Sequence, residues 1–239
     1  MWLYLLLVGL EPSSILPLPV KCRALDICAG ELFLLQENGR TVVKVEEGRI
    51  VGEIPVSDDN TQPVRGFKLT PFVLYLILRD GLYRQFLISN LRGRVYPGDI
   101  IAFTLTSSEE LVLAERRNKA IIFLDSDFKT RLVKKNLPVL DIDYFEQKIY
   151  LLTRREVIVL DEYGNELEKF LVPARSQRIM GREKIYLFTP GERIIFVKGK
   201  AWKTIELCHS VIDLILDDEN LYALNQYGDT LYIYRKADF

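Results

Sequence analysis

One short apolar unit recurs along the chain. It reads Leu32-Phe33-Leu34-Leu35, Leu74-Tyr75-Leu76-Ile77, Leu111-Val112-Leu113-Ala114, Ile149-Tyr150-Leu151-Leu152, Ile185-Tyr186-Leu187-Phe188 and Leu221-Tyr222-Ala223-Leu224. The starts are separated by 42, 37, 38, 36 and 36 residues. A period of this length belongs to repeat architectures, in which each unit buries its apolar faces against its neighbours. A second strand-like run follows each copy: Thr41 to Val45, Tyr83 to Ile88, Ala120 to Leu124, Glu156 to Leu160, Arg193 to Val197 and Thr230 to Tyr234. A third run follows in five copies, and an earlier one precedes every anchor, as in Leu25 to Cys28, Leu140 to Asp143 and Val211 to Leu216.

Between the runs lie hairpin residues, as in Glu37-Asn38-Gly39, Glu46-Glu47-Gly48, Tyr163-Gly164-Asn165, Pro190-Gly191-Glu192 and Tyr227-Gly228-Asp229. No helical period is sustained. Four short antiparallel strands per unit, six times over, predict an all-β chain: a six-bladed β-propeller with four-stranded antiparallel blades. The anchor strand should be apolar on both sides, because neighbouring blades cover both of its faces.

The ends of the chain predict how the ring closes. After Tyr234 only five residues remain, too few for a fourth strand. Ile15-Leu16-Pro17-Leu18-Pro19-Val20 precedes the first unit without a partner there. This N-terminal strand is expected to become the outer strand of blade six, an edge position where proline is tolerated. The propeller is therefore assigned to residues 13–239. Residues 1–12 are set apart as a leader or signal segment, because Trp2 to Leu10 is apolar but shorter than a membrane span. The localisation is then exported if that segment acts as a signal and cytoplasmic otherwise. No transmembrane span and a monomer are expected.

Composition adds few constraints. Apolar residues make up 49% and charged residues 27%, with a formal net charge of −1. The balance offers no basic excess for nucleic acid. Three cysteines (Cys22, Cys28, Cys208) and a single histidine (His209) provide neither a disulfide framework nor a zinc motif. Cys208 and His209 are neighbours in sequence, and in a strand they point to opposite faces, so they form no dyad with each other. No phosphate-binding loop or dinucleotide fingerprint occurs.

The stretch from Leu111 to Phe128 resembles an NHL repeat. In that family an apolar strand ends in an acidic residue, and an Asn-x-Arg turn, an apolar strand and an Asp-x-x-Gly hairpin follow. Asn118 and Asp125 match, whereas Glu115, Ala120 and Phe128 replace the usual Asp, Arg and Gly. Leu160-Asp161-Glu162-Tyr163-Gly164 matches the hairpin alone. The resemblance implies an NHL-like six-bladed propeller. It does not carry function across, because that family mostly binds varied partners and contains only some enzymes.

Two sets of candidate residues follow. The inner strands should line the channel with Asp26, Lys68, Asp141, Asp143 and Asp213. Their mixed signs point to ion pairs across the channel, not to a cation cage, so no metal and no cofactor are expected. The second set is an arginine-bearing loop face. Arg65, Arg175 and Arg178 fall in connections into inner strands. Arg79, Arg116, Arg117, Arg154 and Arg155 fall between second and third strands, and both loop types emerge on one face. Asp26, Asp80, Asp99, Glu115 and Asp141 dilute this face. Arg65, Arg116, Arg154, Arg175 and Arg178 are the binding candidates, since guanidinium groups suit carboxylates and phosphates. The expected function is non-catalytic binding or scaffolding, with a protein or a small acidic ligand as partner. The alternative is a metal-dependent lactonase or hydrolase acting in the channel. Single-stranded RNA ranks below both, because only Tyr83 and Tyr96 are near enough to stack on bases.

Overall fold

In the computed structural model the described residues are 10–56, 62–173, 175–198 and 201–238. They form six sheets of four strands. Blade one is β2 (Cys22–Cys28), β3 (Glu31–Gln36), β4 (Thr41–Glu46) and β5 (Arg49–Pro55). Blade two is β6 (Gly66–Leu69), β7 (Val73–Leu78), β8 (Gly81–Phe86) and β9 (Arg92–Pro97). Blade three is β10 (Ile100–Leu105), β11 (Leu111–Glu115), β12 (Ala120–Leu124) and β13 (Thr130–Lys134). Blade four is β14 (Val139–Phe145), β15 (Lys148–Thr153), β16 (Glu156–Asp161) and β17 (Glu166–Leu171). Blade five is β18 (Arg178–Gly181), β19 (Ile185–Phe188), β20 (Ile194–Lys198) and β21 (Trp202–Glu206). Blade six holds β22 (Val211–Leu216), β23 (Asn220–Asn225) and β24 (Thr230–Arg235), and its outer strand is β1 (Ser14–Pro17).

Alternation along the second strands explains how one sheet serves two cores. In β7, Leu74, Leu76 and Leu78 face blade one, while Tyr75 and Ile77 face blade three. In β15, Ile149 and Leu151 pack against blade three and Tyr150 and Leu152 against blade five. Both faces are apolar because side chains alternate across a strand and each face meets another blade. The outer strands meet solvent and lose this pattern, as the exposed run of β17 shows. Six apolar clusters result, each between two consecutive blades.

The sixth cluster lies across the closure. Leu224 and Leu231 of blade six meet Cys22, Leu25, Leu34, Val43 and Val45 of blade one, with Leu16 of β1 packed against them. β1 runs antiparallel to β24, in a register that pairs Ser14 with Ile233 and Pro17 with Thr230. The chain is tied to the ring from Leu10, whose amide donates to the Glu206 carbonyl at 2.6 Å. The apolar segment that begins at Trp2 otherwise lies outside the described residues.

Two strand boundaries depart from the sequence pattern. The closing strand β1 ends at Pro17, short of Val20. The strand-like run Tyr83 to Ile88 does not form a strand throughout, because β8 ends at Phe86. The chain turns there: the Leu87 amide donates to the Phe72 carbonyl at 3.0 Å, and the Asn90 amide to the Phe86 carbonyl at 2.9 Å. No helix among the described residues is long and apolar enough to cross a membrane.

The closure seam contains a glycine that cannot be replaced without cost. Gly228 has φ +73°, and a Cβ there would run into the Cys22 carbonyl. Its own carbonyl accepts from the Cys22 amide at 2.7 Å. Gly191 has a similar φ of +88° but open space around it. Gly191→Ala is therefore expected to lose only the left-handed strain, about 1 kcal/mol. Gly228→Ala should lose about 3 kcal/mol, since the carbonyl of blade one must also move. Urea unfolding of the two variants checks this, and equal losses would show that the seam is slack.

Candidate functional site

The inner strands surround a channel cavity of about 420 Å³. Asp26, Asp141, Asp143 and Asp213 line it together with Arg65, Lys68, Arg116, Arg178 and Arg182. Each of the four carboxylates accepts a backbone N–H from the next blade. Asp213 Oδ2 takes the Leu25 amide at 3.0 Å and Asp26 Oδ2 the Leu69 amide at 2.7 Å. Asp141 Oδ2 takes the Ile179 amide at 3.0 Å and Asp143 Oδ2 the Gly181 amide at 2.9 Å. These bonds join blade six to one, one to two, and four to five. They satisfy N–H groups on the channel edge of an inner strand, which has no neighbouring strand there.

Cations complete the ring. Arg178 reaches Asp141 Oδ2 with Nε at 3.2 Å and Asp213 Oδ1 with Nη2 at 3.1 Å, so blades four, five and six share one guanidinium. Arg182 Nη1 lies 3.1 Å from Asp143 Oδ2. Lys68 Nζ faces Asp143 Oδ1 at 3.9 Å, beyond hydrogen-bond distance. Arg178 therefore does not belong to the loop face expected for it: it opens β18, and its side chain points at channel carboxylates. Arg175, three residues earlier, stays on the loop face.

Burial dominates the protonation of this ring. It pushes the Asp26 carboxyl up to about 6, against the pull of Lys68 and the amides of Leu69 and Ile27. It pushes Asp141 up to about 6 against the pull of Arg178, and raises Asp213 as well. Asp213 in turn holds the Arg178 guanidinium above its ordinary value. Among the described residues no group of three or more His, Cys, Asp or Glu side chains is arranged to hold a metal ion.

The connections divide by face. On the upper face emerge the turns between second and third strands and the links from one blade to the next. Among the described residues these hold twelve Lys and Arg against five Asp and Glu. The other hairpin turns emerge below and hold three Lys and Arg against eleven Asp and Glu. Asp58, Asp59 and Lys200 lie outside the described residues. A chain with a net charge of −1 is therefore strongly polarised from face to face.

The upper charge is concentrated over blades three to five. The turns 116–119, 135–138, 154–155 and 172–177 carry Arg116, Arg117, Lys119, Lys135, Arg154, Arg155 and Arg175 and no carboxylate. Neighbouring turns are joined through backbone: the Leu137 amide donates to the Lys119 carbonyl at 2.7 Å, and the Val172 amide to the Arg155 carbonyl at 2.9 Å. Arg154 and Arg175 border an open hollow of about 670 Å³ with Leu140, Ser176, Gln177 and Thr189, and Glu192 of the neighbouring turn lines it as well. Arg175 has φ +67°, and Thr189 Oγ1 donates to its carbonyl at 2.7 Å. Arg117, Lys119, Arg154, Arg155 and Arg175 form no ion pair among the described residues. Arg65 and Arg116 differ, since both approach Asp99, at 3.5 and 3.8 Å. The candidates thus fall into three places: Arg154 and Arg175 on the arc, Arg65 and Arg116 at the channel mouth, and Arg178 inside.

Two other candidates are occupied elsewhere. Tyr83 donates its hydroxyl to Asp80 Oδ2 at 2.7 Å. His209 stacks on Tyr232 with ring centroids 4.3 Å apart and does not line the channel. Cys22 and Cys28 are free thiols, and burial lifts Cys22 up to about 12.

No protein-family model matches the chain, and no curated protein matches it in sequence. Solved structures resemble it in fold. Virginiamycin B lyase from Staphylococcus aureus superposes with a TM-score of 0.65 at 12% identity, over 88% of this chain and 79% of that one. BamB from Moraxella catarrhalis gives 0.54 at 14% identity, over 88% and 71%. YCF48 bound to D1 peptide gives 0.60 at 12% identity, over 89% and 77%. These likenesses show the propeller fold.

The raised carboxylates give the ring a pH dependence. Asp26 and Asp141 bind protons in the folded protein at about pH 6 but in the unfolded chain only near 3.8. Their contribution is therefore fully favourable below about pH 4 and is lost as pH rises through 6, on the order of 2–3 kcal/mol each. Asp26→Asn removes one such term while keeping an oxygen for the Leu69 amide. Relative to wild type, this variant should gain stability between pH 4 and pH 7.5, as followed by thermal unfolding. A constant difference across that range would contradict the burial argument.

Proposed function

We propose that this propeller is a non-catalytic binding module that receives an acidic segment of a protein partner on its upper face, over blades three to five. The observation that carries the reading is the arc from Arg117 to Arg175, whose turns contain no carboxylate. Its exposed guanidinium groups are poorly neutralised by their own chain, and guanidinium pairs with carboxylates in two-point geometry. Acidic side chains spaced along an extended segment could engage successive turns. The hollow beside Arg154 and Arg175 offers room for one of them.

Two further observations support a protein partner. The four turns carry no aromatic side chain, so they lack the stacking platform that single-stranded RNA uses. A propeller of similar fold, YCF48, is described as bound to D1 peptide. The channel carboxylates are engaged by backbone amides and guanidinium groups, which supports a structural role for them over the hydrolase alternative.

Fluorescence anisotropy with a labelled glutamate-rich peptide tests the reading. An Arg117→Glu, Arg154→Glu, Arg155→Glu variant should bind at least about tenfold more weakly than wild type, a loss of about 1.4 kcal/mol. Wild-type affinity should fall steeply with salt. All three side chains are exposed, so circular dichroism should be unchanged. Equal affinities would overturn the assignment of the face.

A further inference from the structure

The described lower turns are net negative at blades one, three, four and six, blade five holds Arg182 and Lys184 against Glu183, and blade two stands apart. The two lower turns of that blade, 70–72 and 87–91, contain no charged residue. They present bulky apolar side chains instead: Phe72 is 69% exposed, Ile88 92% and Leu91 68%, with Phe86 beside them at 37%. Every other blade has at least one charged residue in its lower turns. Exposed apolar side chains gathered on adjoining turns mark interaction sites, whereas scattered ones do not.

These turns are held firmly. Leu87 packs into the core between blades one and two, and its amide donates to the Phe72 carbonyl at 3.0 Å, locking one turn to the other. Gln85 is 2% exposed, and its Nε2 donates to the Pro55 carbonyl of blade one at 2.9 Å and to Asn90 Oδ1 at 3.2 Å. Asn90 takes the left-handed φ of +53° that the turn requires. A buried polar network therefore maintains the display of Ile88 and Leu91, and a preformed patch binds with less ordering cost.

We infer that this blade-two patch docks a protein segment whose apolar anchors are flanked by lysine or arginine. The patch fixes the anchors, and the surrounding charge fixes the flanks. Blade one contributes Glu47 beside it, and blade three contributes Glu109, Glu110, Asp125 and Asp127 against Lys129, which pairs with Asp127 at 3.4 Å, so the surroundings stay net acidic. Burial raises the Tyr75 phenol of blade two, and Glu109 is near enough to add to that rise. Two cations border the patch and are engaged there: Arg84 lies over the rings of Phe86 and Phe128 at 4.9 and 4.6 Å, and Arg92 donates to Gln85 Oε1 from Nε at 3.2 Å and from Nη2 at 2.6 Å. A second copy meeting this face with its own lower face would oppose acidic turns, and the arc on the upper face offers no apolar anchors. An anionic bilayer would meet the same acidic turns.

The test uses a labelled peptide with a leucine and phenylalanine centre and lysines at both ends. Wild type should bind it at least about tenfold more tightly than a Phe72→Ser, Ile88→Ser, Leu91→Ser variant. Replacing the peptide's lysines by glutamates should weaken binding to wild type by a similar factor. The Arg117→Glu, Arg154→Glu, Arg155→Glu variant should bind it no more weakly than wild type, which separates this site from the upper face. The serine variant should keep the wild-type melting temperature, because these side chains are exposed. Equal binding by wild type and serine variant would overturn the inference. So would patch-dependent self-association in sedimentation, or patch-dependent flotation with phosphatidylserine vesicles.

Discussion

Closing the ring is the constraint on which the rest of the structure depends. A propeller has no end layer: every core lies between two blades, so the sixth core exists only if the last blade meets the first. Leu224 and Leu231 are buried because Leu25, Leu34 and Val43 of blade one cover them, and β1 seals the outer edge of β24. The two ends of the chain thus meet in one sheet, a long-range pairing with high loop-closure entropy. The Asp213 bond to Leu25 N crosses the same seam, so the channel ring and the core close together.

A closed ring has two faces, and this sequence gives them opposite character. Hairpin turns alternate strictly between the faces, so charge placed in alternate turns separates in space. The arginines of 116–119 and 154–155 share a face with Lys135 and Arg175, though dozens of residues intervene between the first and last of them. Acidic turns at 109–110, 146, 162 and 217–219 lie on the other face. Such a field orients an approaching charged partner before contact and favours fast association. The turns of blade two, which carry no charge, set an apolar patch among the acidic turns of blades one and three, a local chemistry suited to anchoring.

Much of the architecture was legible in the chain itself. Strands covered on both faces must be apolar throughout, so Leu74–Ile77 and Ile149–Leu152 stand out as a period. The missing fourth strand after Tyr234 and the unpaired Ile15–Val20 predicted the closure. The site was less legible, because through-space pairing leaves little trace in a linear pattern. The inner-strand aspartates looked like channel candidates, yet their bonds go to backbone amides of the next blade. A recurring apolar-Asp step, in Leu25-Asp26, Leu140-Asp141, Ile142-Asp143 and Ile212-Asp213, was the available clue. Arg175 and Arg178 are three residues apart, but a strand begins between them and sends one to the rim and the other into the channel. Ile88 extended an apolar run and so resembled a strand residue, whereas the Leu87–Phe72 bond turns the chain and exposes it.

The central claim is that the polarised ring presents one acid-free cationic arc as its binding surface. Hydrogen-exchange mass spectrometry of the protein with and without a saturating glutamate-rich peptide tests it most directly. The account predicts added protection in the peptides that cover turns 116–119, 135–138, 154–155 and 172–177, with the lower turns unchanged. Protection confined to the inner strands around Asp26, Asp141 and Asp213, or to the lower face, would contradict it.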